Sequence, residues 1–194
     1  MGPQALGHIA VDIPAIRAGA YVFSWHKWIR GPRGTGGLWT SEQFAARNRV
    51  TLSNWTDEAD LSAGGRYEGG TVSYALLAGL SEACRRASGS LAERICELER
   101  LRDAIRRKLD GILADADPEW FDGRAPGIIS YLMRPPLNSW TLAARMQRNH
   151  AAAIKPFHPP EQPDAIRISY AAGTSQRAIE RLASALRKEA APPK

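Results

Sequence analysis

Ala20-Tyr21-Val22-Phe23-Ser24-Trp25-His26-Lys27-Trp28, continued by Ile29-Arg30-Gly31-Pro32-Arg33-Gly34-Thr35-Gly36-Gly37-Leu38-Trp39, is the stretch that decides the fold. An apolar, β-prone run stops at a polar turn that carries a lysine. A glycine-rich link follows, short enough for an antiparallel return, and leads into a second short apolar strand. Lys27 thus sits at a strand end between aromatic side chains. Partial burial there disfavours the ammonium form, and a neutral lysine amine attacks carbonyls. The chemistry suggested is a Schiff base, and pyridoxal phosphate is the commonest cofactor that uses one. The loop Gly31 to Gly37 has two readings. Its backbone N–H groups could cradle a phosphate, or it is a tight turn between antiparallel strands. It lacks the Gly-Lys-Ser/Thr ending of a nucleotide-binding loop.

Five blocks in order carry a resemblance: Gln4 to Asp12, Ser24-Trp25-His26-Lys27, Gly31 to Gly36, Glu68-Gly69-Gly70-Thr71 and Ile166-Arg167-Ile168-Ser169. With them the chain resembles the class V aminotransferase family of fold type I pyridoxal-phosphate enzymes. That family includes cysteine desulfurases, isopenicillin N epimerase-like proteins and the carbon–sulfur lyases of ergothioneine synthesis. The resemblance implies an α/β fold: the C-terminal part of the large cofactor-binding domain over residues 1–88, and a small α+β domain over 89–194. It implies that Lys27 forms the aldimine with pyridoxal 5'-phosphate. Gln4 then bonds the ring hydroxyl, Ser24 the phosphate, and His26 contacts the ring as a stacking or proton-relay group. Thr71 reaches a phosphate in a partner subunit, and Arg167 holds the substrate carboxylate. The family also carries an aspartate three residues before the glutamine, paired with the pyridinium nitrogen. Met1 stands there in this chain. On that alignment the chain starts where the cofactor site is half built. The expectation is an enzyme active with a complementing N-terminal-half subunit, in a homo-oligomer or both. The alternative is a truncated, non-catalytic fragment or a scaffolding subunit. Trp25 is a second departure, because the family has a small residue there and an indole is expected to crowd the site.

Composition narrows the function class. The chain has 194 residues, 44% hydrophobic and 24% charged, which is ordinary for a globular protein. No apolar run approaches the ~20 residues that span a bilayer, and no basic-then-apolar start suggests a signal peptide. The expected location is the cytoplasm. Net charge is +6, from 26 Lys+Arg against 20 Asp+Glu. Acidic residues such as Glu97, Glu99 and Asp103 interleave with the arginines, so a solvated helix face is favoured over a nucleic-acid patch. Cys84 and Cys96 have no metal spacing and read as buried or semi-buried residues on helices. His8, His150 and His158 have no ligand spacing and read as structural or exposed. No metal site is expected. Cysteine desulfurases need a mobile cysteine shortly before the carboxylate arginine, and Asn149 to Ala165 contains none. Persulfide formation on the chain itself is therefore disfavoured. An amino-acid substrate remains, with lyase, transaminase and epimerase outcomes all open.

The rest of the chain divides by pattern. Val11 to Ile16 reads as an edge or connector stopped by Pro14. Residues 41–70 read as a loop and Val72 to Ala87 as a helix, with Leu76, Leu77, Leu80 and Ala83 at helical intervals. A long amphipathic helix runs from Leu91 to Ile112. Strand, helix, strand, strand and helix then follow, which with the long helix is a two-layer α+β order. Pro156, Pro159, Pro160 and Pro163 punctuate the loop between the last two strands. Arg167 falls mid-strand, opposite in direction to Ile166 and Ile168. Arg134 and Lys155 are weaker anion-binding candidates.

Overall fold

The computed structural model describes residues 1–48, 67, 69–113, 125–133, 135–157 and 164–190. Glu68, Arg134 and His158 lie outside these, as does the whole stretch 49–66. The chain divides into two compact units, Met1–Leu91 and Ala92–Lys194.

In the first unit, β1 (Ala20–Ser24) pairs antiparallel with β2 (Gly36–Thr40), with Phe23 opposite Gly37 and Ser24 opposite Gly36. Period-two alternation buries Tyr21 and Phe23 on one face and leaves Val22 47% exposed on the other. The N-terminal residues lie along β1, with Gly2 N donating to Val22 O at 2.9 Å. The expected connector contains one short 3₁₀ turn, Pro14–Ile16. Helix α1 (Glu42–Arg47) follows β2 at once, where a loop was expected. Ser41 caps it by accepting from Phe44 N. Helix α2 (Tyr74–Ser88) has the expected position but not the expected burial. Leu76 and Leu77 are exposed with Val72 and Tyr74, and of its residues only Ala87 is buried.

The second unit is built on α3 (Leu91–Leu109), β3 (Ile128–Leu132), α4 (Ser139–His150), β4 (Lys155–Phe157), β5 (Ala165–Ser169) and α5 (Gln176–Ala190). This is the helix–strand order read from the sequence. The three strands form an antiparallel sheet in the order β3-β5-β4, so β5 is central. Ile129, Tyr131, Ile166 and Ile168 are buried on one sheet face, and Leu98, Ile105, Leu142, Met146, Ile179 and Leu186 supply the buried helix side. Tyr131 also donates its hydroxyl to Asp110, just past α3, at 2.7 Å. Burial and that carboxylate push the Tyr131 phenol far above its ordinary range, so it stays neutral. Asp164 accepts from Ser139 N at 2.9 Å, which ties the start of β5 to the start of α4.

Two local expectations need correction. Pro156 lies within β4 rather than in the loop beyond it, opposite Ile166. An edge strand tolerates a residue with no N–H to donate. Cys96 is exposed on α3, while Cys84 is half-buried on α2 with its thiol pKa raised by burial. No helix among the described residues is long and apolar enough to cross a membrane.

Candidate active site

Lys27 sits half-exposed in the turn that leaves β1. Three backbone bonds shape that turn. Trp25 N donates to Thr35 O at 3.2 Å, Arg30 N to Lys27 O at 3.0 Å, and Gly31 N to Trp25 O at 3.0 Å. Arg30 takes a left-handed conformation (φ 64°) to complete it. The glycine-rich link is closed on itself: Thr35 N and Thr35 Oγ1 both donate to Pro32 O. The strands that the link joins are antiparallel, as its second reading has them. Helix α2 lies against this link, since a Cβ on Gly31 would come within 3.1 Å of Leu80 and one on Gly79 within 3.0 Å of Pro32.

The N-terminal loop holds the lysine turn from the other side. Gln4 Oε1 accepts from Trp28 Nε1 at 2.8 Å, a bond across 24 residues of sequence. That contact fixes the amide so that its NH₂ group points away from the indole. His8 is buried and stacks on Trp28 with ring centroids 3.8 Å apart and planes 7° from parallel. Its Nδ1 lies 3.0 Å from Gln4 O; a carbonyl only accepts, so Nδ1 carries the proton. Gly7 is required between them. Its φ is +78°, and a Cβ there would meet Ile29 N and the Trp28 carbonyl carbon at 2.9 Å.

The remaining candidates fall as follows. His26 is exposed, and its Nδ1 donates to Thr35 O at 3.0 Å, which leaves Nε2 directed elsewhere. Ser24 is half-exposed at the last position of β1, on the face opposite Phe23. Trp25 packs edge-on against Phe23 with ring centroids 4.8 Å apart. Gly37 makes that possible, because a Cβ there would strike the Phe23 ring at 2.3 Å and the indole nitrogen at 2.9 Å. The indole therefore occupies the Phe23 side of the strand. Thr71 is exposed ahead of α2 in the same unit. Arg167 is in the second unit, on β5. It is half-buried, with its guanidinium 5.7 Å from the Phe157 ring centroid. Its Nε is buried, with no hydrogen-bond partner among the described residues.

The structure thus gathers Gln4, Ser24, His26 and Lys27 around one end of β1. It adds His8, Trp28 and Thr35 as supports that sequence reasoning did not assign. The available signals were weak: a Gly-His pair in the N-terminal loop, and an aromatic directly after the lysine. A separate cavity of about 610 Å³ between α4 and α5, lined by Arg148, His150, Arg181 and Lys188 among others, contains none of the candidates. Arg148 and Lys188 are last-turn cations that suit helix C-termini.

A family model described as "Aminotransferase class-V" matches residues 2–114. The chain belongs to the class-V aminotransferase family. Among curated members, it is 31% identical over 112 residues to the cysteine desulfurase IscS of Neisseria meningitidis, a match covering 56% of this chain and 25% of that protein. Among solved structures, C-DES with glycine covalently linked to its pyridoxal-phosphate cofactor superposes with a TM-score of 0.79 at 23% identity, covering 96% of this chain and 50% of that one. The cysteine desulfurase of Thermococcus onnurineus gives 0.75 at 20% identity, with 95% and 50% covered. The fold is that of the fold type I pyridoxal-phosphate enzymes, and the chain spans about half the length of these structures.

The donors around β1 suit the cofactor of this family by their chemistry. An amine suits an aldehyde, a hydroxyl suits a phosphate oxygen, and an amide NH₂ turned away from its indole partner suits a ring hydroxyl. None of Gln4, Ser24, His26 and Lys27 carries the carboxylate that a pyridinium nitrogen calls for.

Proposed function

We propose that this chain is the lysine-bearing half of a pyridoxal-phosphate-dependent enzyme acting on amino acids, of carbon–sulfur lyase or aminotransferase type. The observation that carries the reading is the Lys27 turn, braced from both sides by Gln4–Trp28 and by Trp25–Thr35. Membership of the class V family supports it.

In this reading Lys27 would hold the cofactor at its aldehyde carbon through Nζ. Gln4 donates its amide NH₂ to the ring hydroxyl oxygen, and Ser24 donates its hydroxyl to the phosphate. His26 presents Nε2 to the ring or to a transferring proton, because Nδ1 is engaged by Thr35. Arg167 grips the substrate carboxylate with its planar fork. The Lys27 amine would serve as the base that takes the substrate α-proton and returns it. Bound pyridoxal phosphate supplies the electron sink for the pair left on the α-carbon. Thr71 reaches the phosphate of a second subunit in a homo-oligomer. An aspartate from a complementing segment, in cis or in trans, holds the pyridinium proton. The exposed apolar residues Val22, Leu38, Val72, Leu76 and Leu77 suit a surface that such a segment covers.

Carbon–sulfur cleavage fits the names of the relatives: C-DES is a cystine C–S lyase solved with its product cysteine persulfide. With no cysteine between Asn149 and Ala165, sulfur leaves with the product rather than passing to this chain. The test is the visible absorption of the purified chain with pyridoxal phosphate, alone and with a class V N-terminal half added. A lysine-bound cofactor band that responds to cystine or cysteine is expected in the complete assembly. A complete assembly with no such band is the non-catalytic alternative.

A further inference from the structure

Arg167 has a charged neighbour that its proposed role does not use. On the central strand β5 it stands opposite Ser130 of β3 and opposite Lys155 of β4. Residues directly opposed across antiparallel strands point to the same face, with Cβ atoms roughly 5 Å apart. Arg167 and Lys155 therefore form a cross-strand pair of like charge, on the face away from the buried Ile166 and Ile168. Such a pair is unfavourable unless something between it is negative. The other described strand residues on that face are Ile128, Leu132, Phe157, Ala165 and Ser169, and none is acidic. Phe157, two residues after Lys155, lies against the Arg167 guanidinium. Among the described residues the buried Arg167 Nε has no hydrogen-bond partner, so the fork is desolvated on one side before any ligand arrives.

We infer that Lys155 is a specificity-determining residue: with Arg167 it makes a doubly cationic subsite for a substrate that carries a second acidic group besides its α-carboxylate. This rests on the reading of Arg167 as the carboxylate-binding residue, and not on cofactor binding. The Arg167 fork takes one carboxylate bidentately, and the mobile Lys155 ammonium takes the second as a point charge. A monocarboxylate leaves one cation of the pair uncompensated. Ser130, on the far side of Arg167 in the same row, offers a neutral hydroxyl to the first carboxylate.

The test uses the full 194-residue chain without cofactor, and propionate and succinate as probes at fixed ionic strength. Binding is read from the shifts of the Arg167 guanidinium and Lys155 side-chain NMR signals. Succinate is expected to bind about ten-fold more tightly than propionate, the worth of one added charge-assisted contact. Lys155→Gln should bring the two within about two-fold, through loss of succinate affinity. Lys155 is exposed on an edge strand, so the variant keeps its fold; unchanged thermal unfolding checks this. Lys155→Glu should pair with Arg167 and exclude both probes. If propionate binds through Arg167 and succinate gains nothing, the two-cation subsite is wrong while the carboxylate reading of Arg167 stands. If neither probe perturbs Arg167, both are wrong.

Discussion

The imidazole of His8 lies flat on the indole of Trp28, 3.8 Å between centroids, and Trp28 is the residue next to Lys27. The same indole donates to Gln4. Two segments that meet only in the folded chain thus fix the direction in which the lysine turn leaves β1. Gly7 is the point where they touch. Gly7→Ala places a Cβ against backbone and forces a residue into φ +78°. A cost of about 1–3 kcal/mol is expected from the strained backbone alone. Thermal unfolding followed by tryptophan fluorescence should show a fall of several degrees. Gly111→Ala, where a Cβ meets nothing within 4 Å, should be close to neutral.

His8 makes the same region sensitive to acid. Burial holds its pKa below the ordinary 6.5, with the Gln4 carbonyl acting in the opposite direction. As pH falls below 6.5 the unfolded chain takes up the proton first. The stabilisation from neutral His8 is complete above 6.5 and is lost as pH falls through the lower folded value. Thermal stability of the first unit should decline from pH 7 toward pH 5, and His8→Phe should flatten that decline. An NMR titration of His8 showing a midpoint at or above 6.5 would refute the assignment.

Core and hydrogen-bond changes in the second unit should leave the lysine site alone. Leu142, fully buried in α4, should cost about 2–5 kcal/mol on conversion to alanine. Tyr131→Phe removes only the hydroxyl bonded to Asp110, and should cost about 0.5–1.5 kcal/mol. Denaturant unfolding ranks the two. The reverse order would mean that the Tyr131–Asp110 bond is worth more to the unit than the packing of Leu142.

Periodicity made the second unit readable. Its helices and its two five-residue strands carry a 3.6- or 2-residue pattern, and the observed strands and helices lie within a few residues of those expected. The strand containing Arg167 shows why: Ile166 and Ile168 are buried on one face and Arg167 is turned to the other. The first unit was less legible. Helix α1 is six residues long, too short for a periodic signal, and is marked only by its Ser41 cap. In α2 the pattern was read correctly as a helix, but Leu76 and Leu77 are exposed because hydrophobic spacing says which face is apolar and not what covers it. The Lys27 turn was legible from local chemistry. Its supports were not, because Gln4 and His8 lie in a loop with no period and meet Trp28 only in the folded chain, Gln4 from 24 residues away.

Arg167 tests the substrate side of the proposal. Arg167→Ala should weaken amino-acid binding by about ten- to hundred-fold, the worth of roughly 1.5–3 kcal/mol for a charge-assisted contact. It should leave cofactor attachment unchanged. Arg167→Lys should rescue little, because a point charge does not reproduce a planar fork. Substrate titrations on a cofactor-loaded assembly measure both. An unchanged response in Arg167→Ala removes this residue from substrate binding.

The central claim is that Lys27 carries the cofactor, and peptide mapping after borohydride reduction tests it most directly. The chain is incubated with pyridoxal phosphate and its complementing N-terminal half, reduced, digested and mapped by mass spectrometry. The account predicts a pyridoxyl group on Lys27 in the wild type and none on that peptide in Lys27→Ala, with Lys155 and the other lysines unlabelled in both. Labelling at another lysine, or no label in an assembly that has formed, would contradict it.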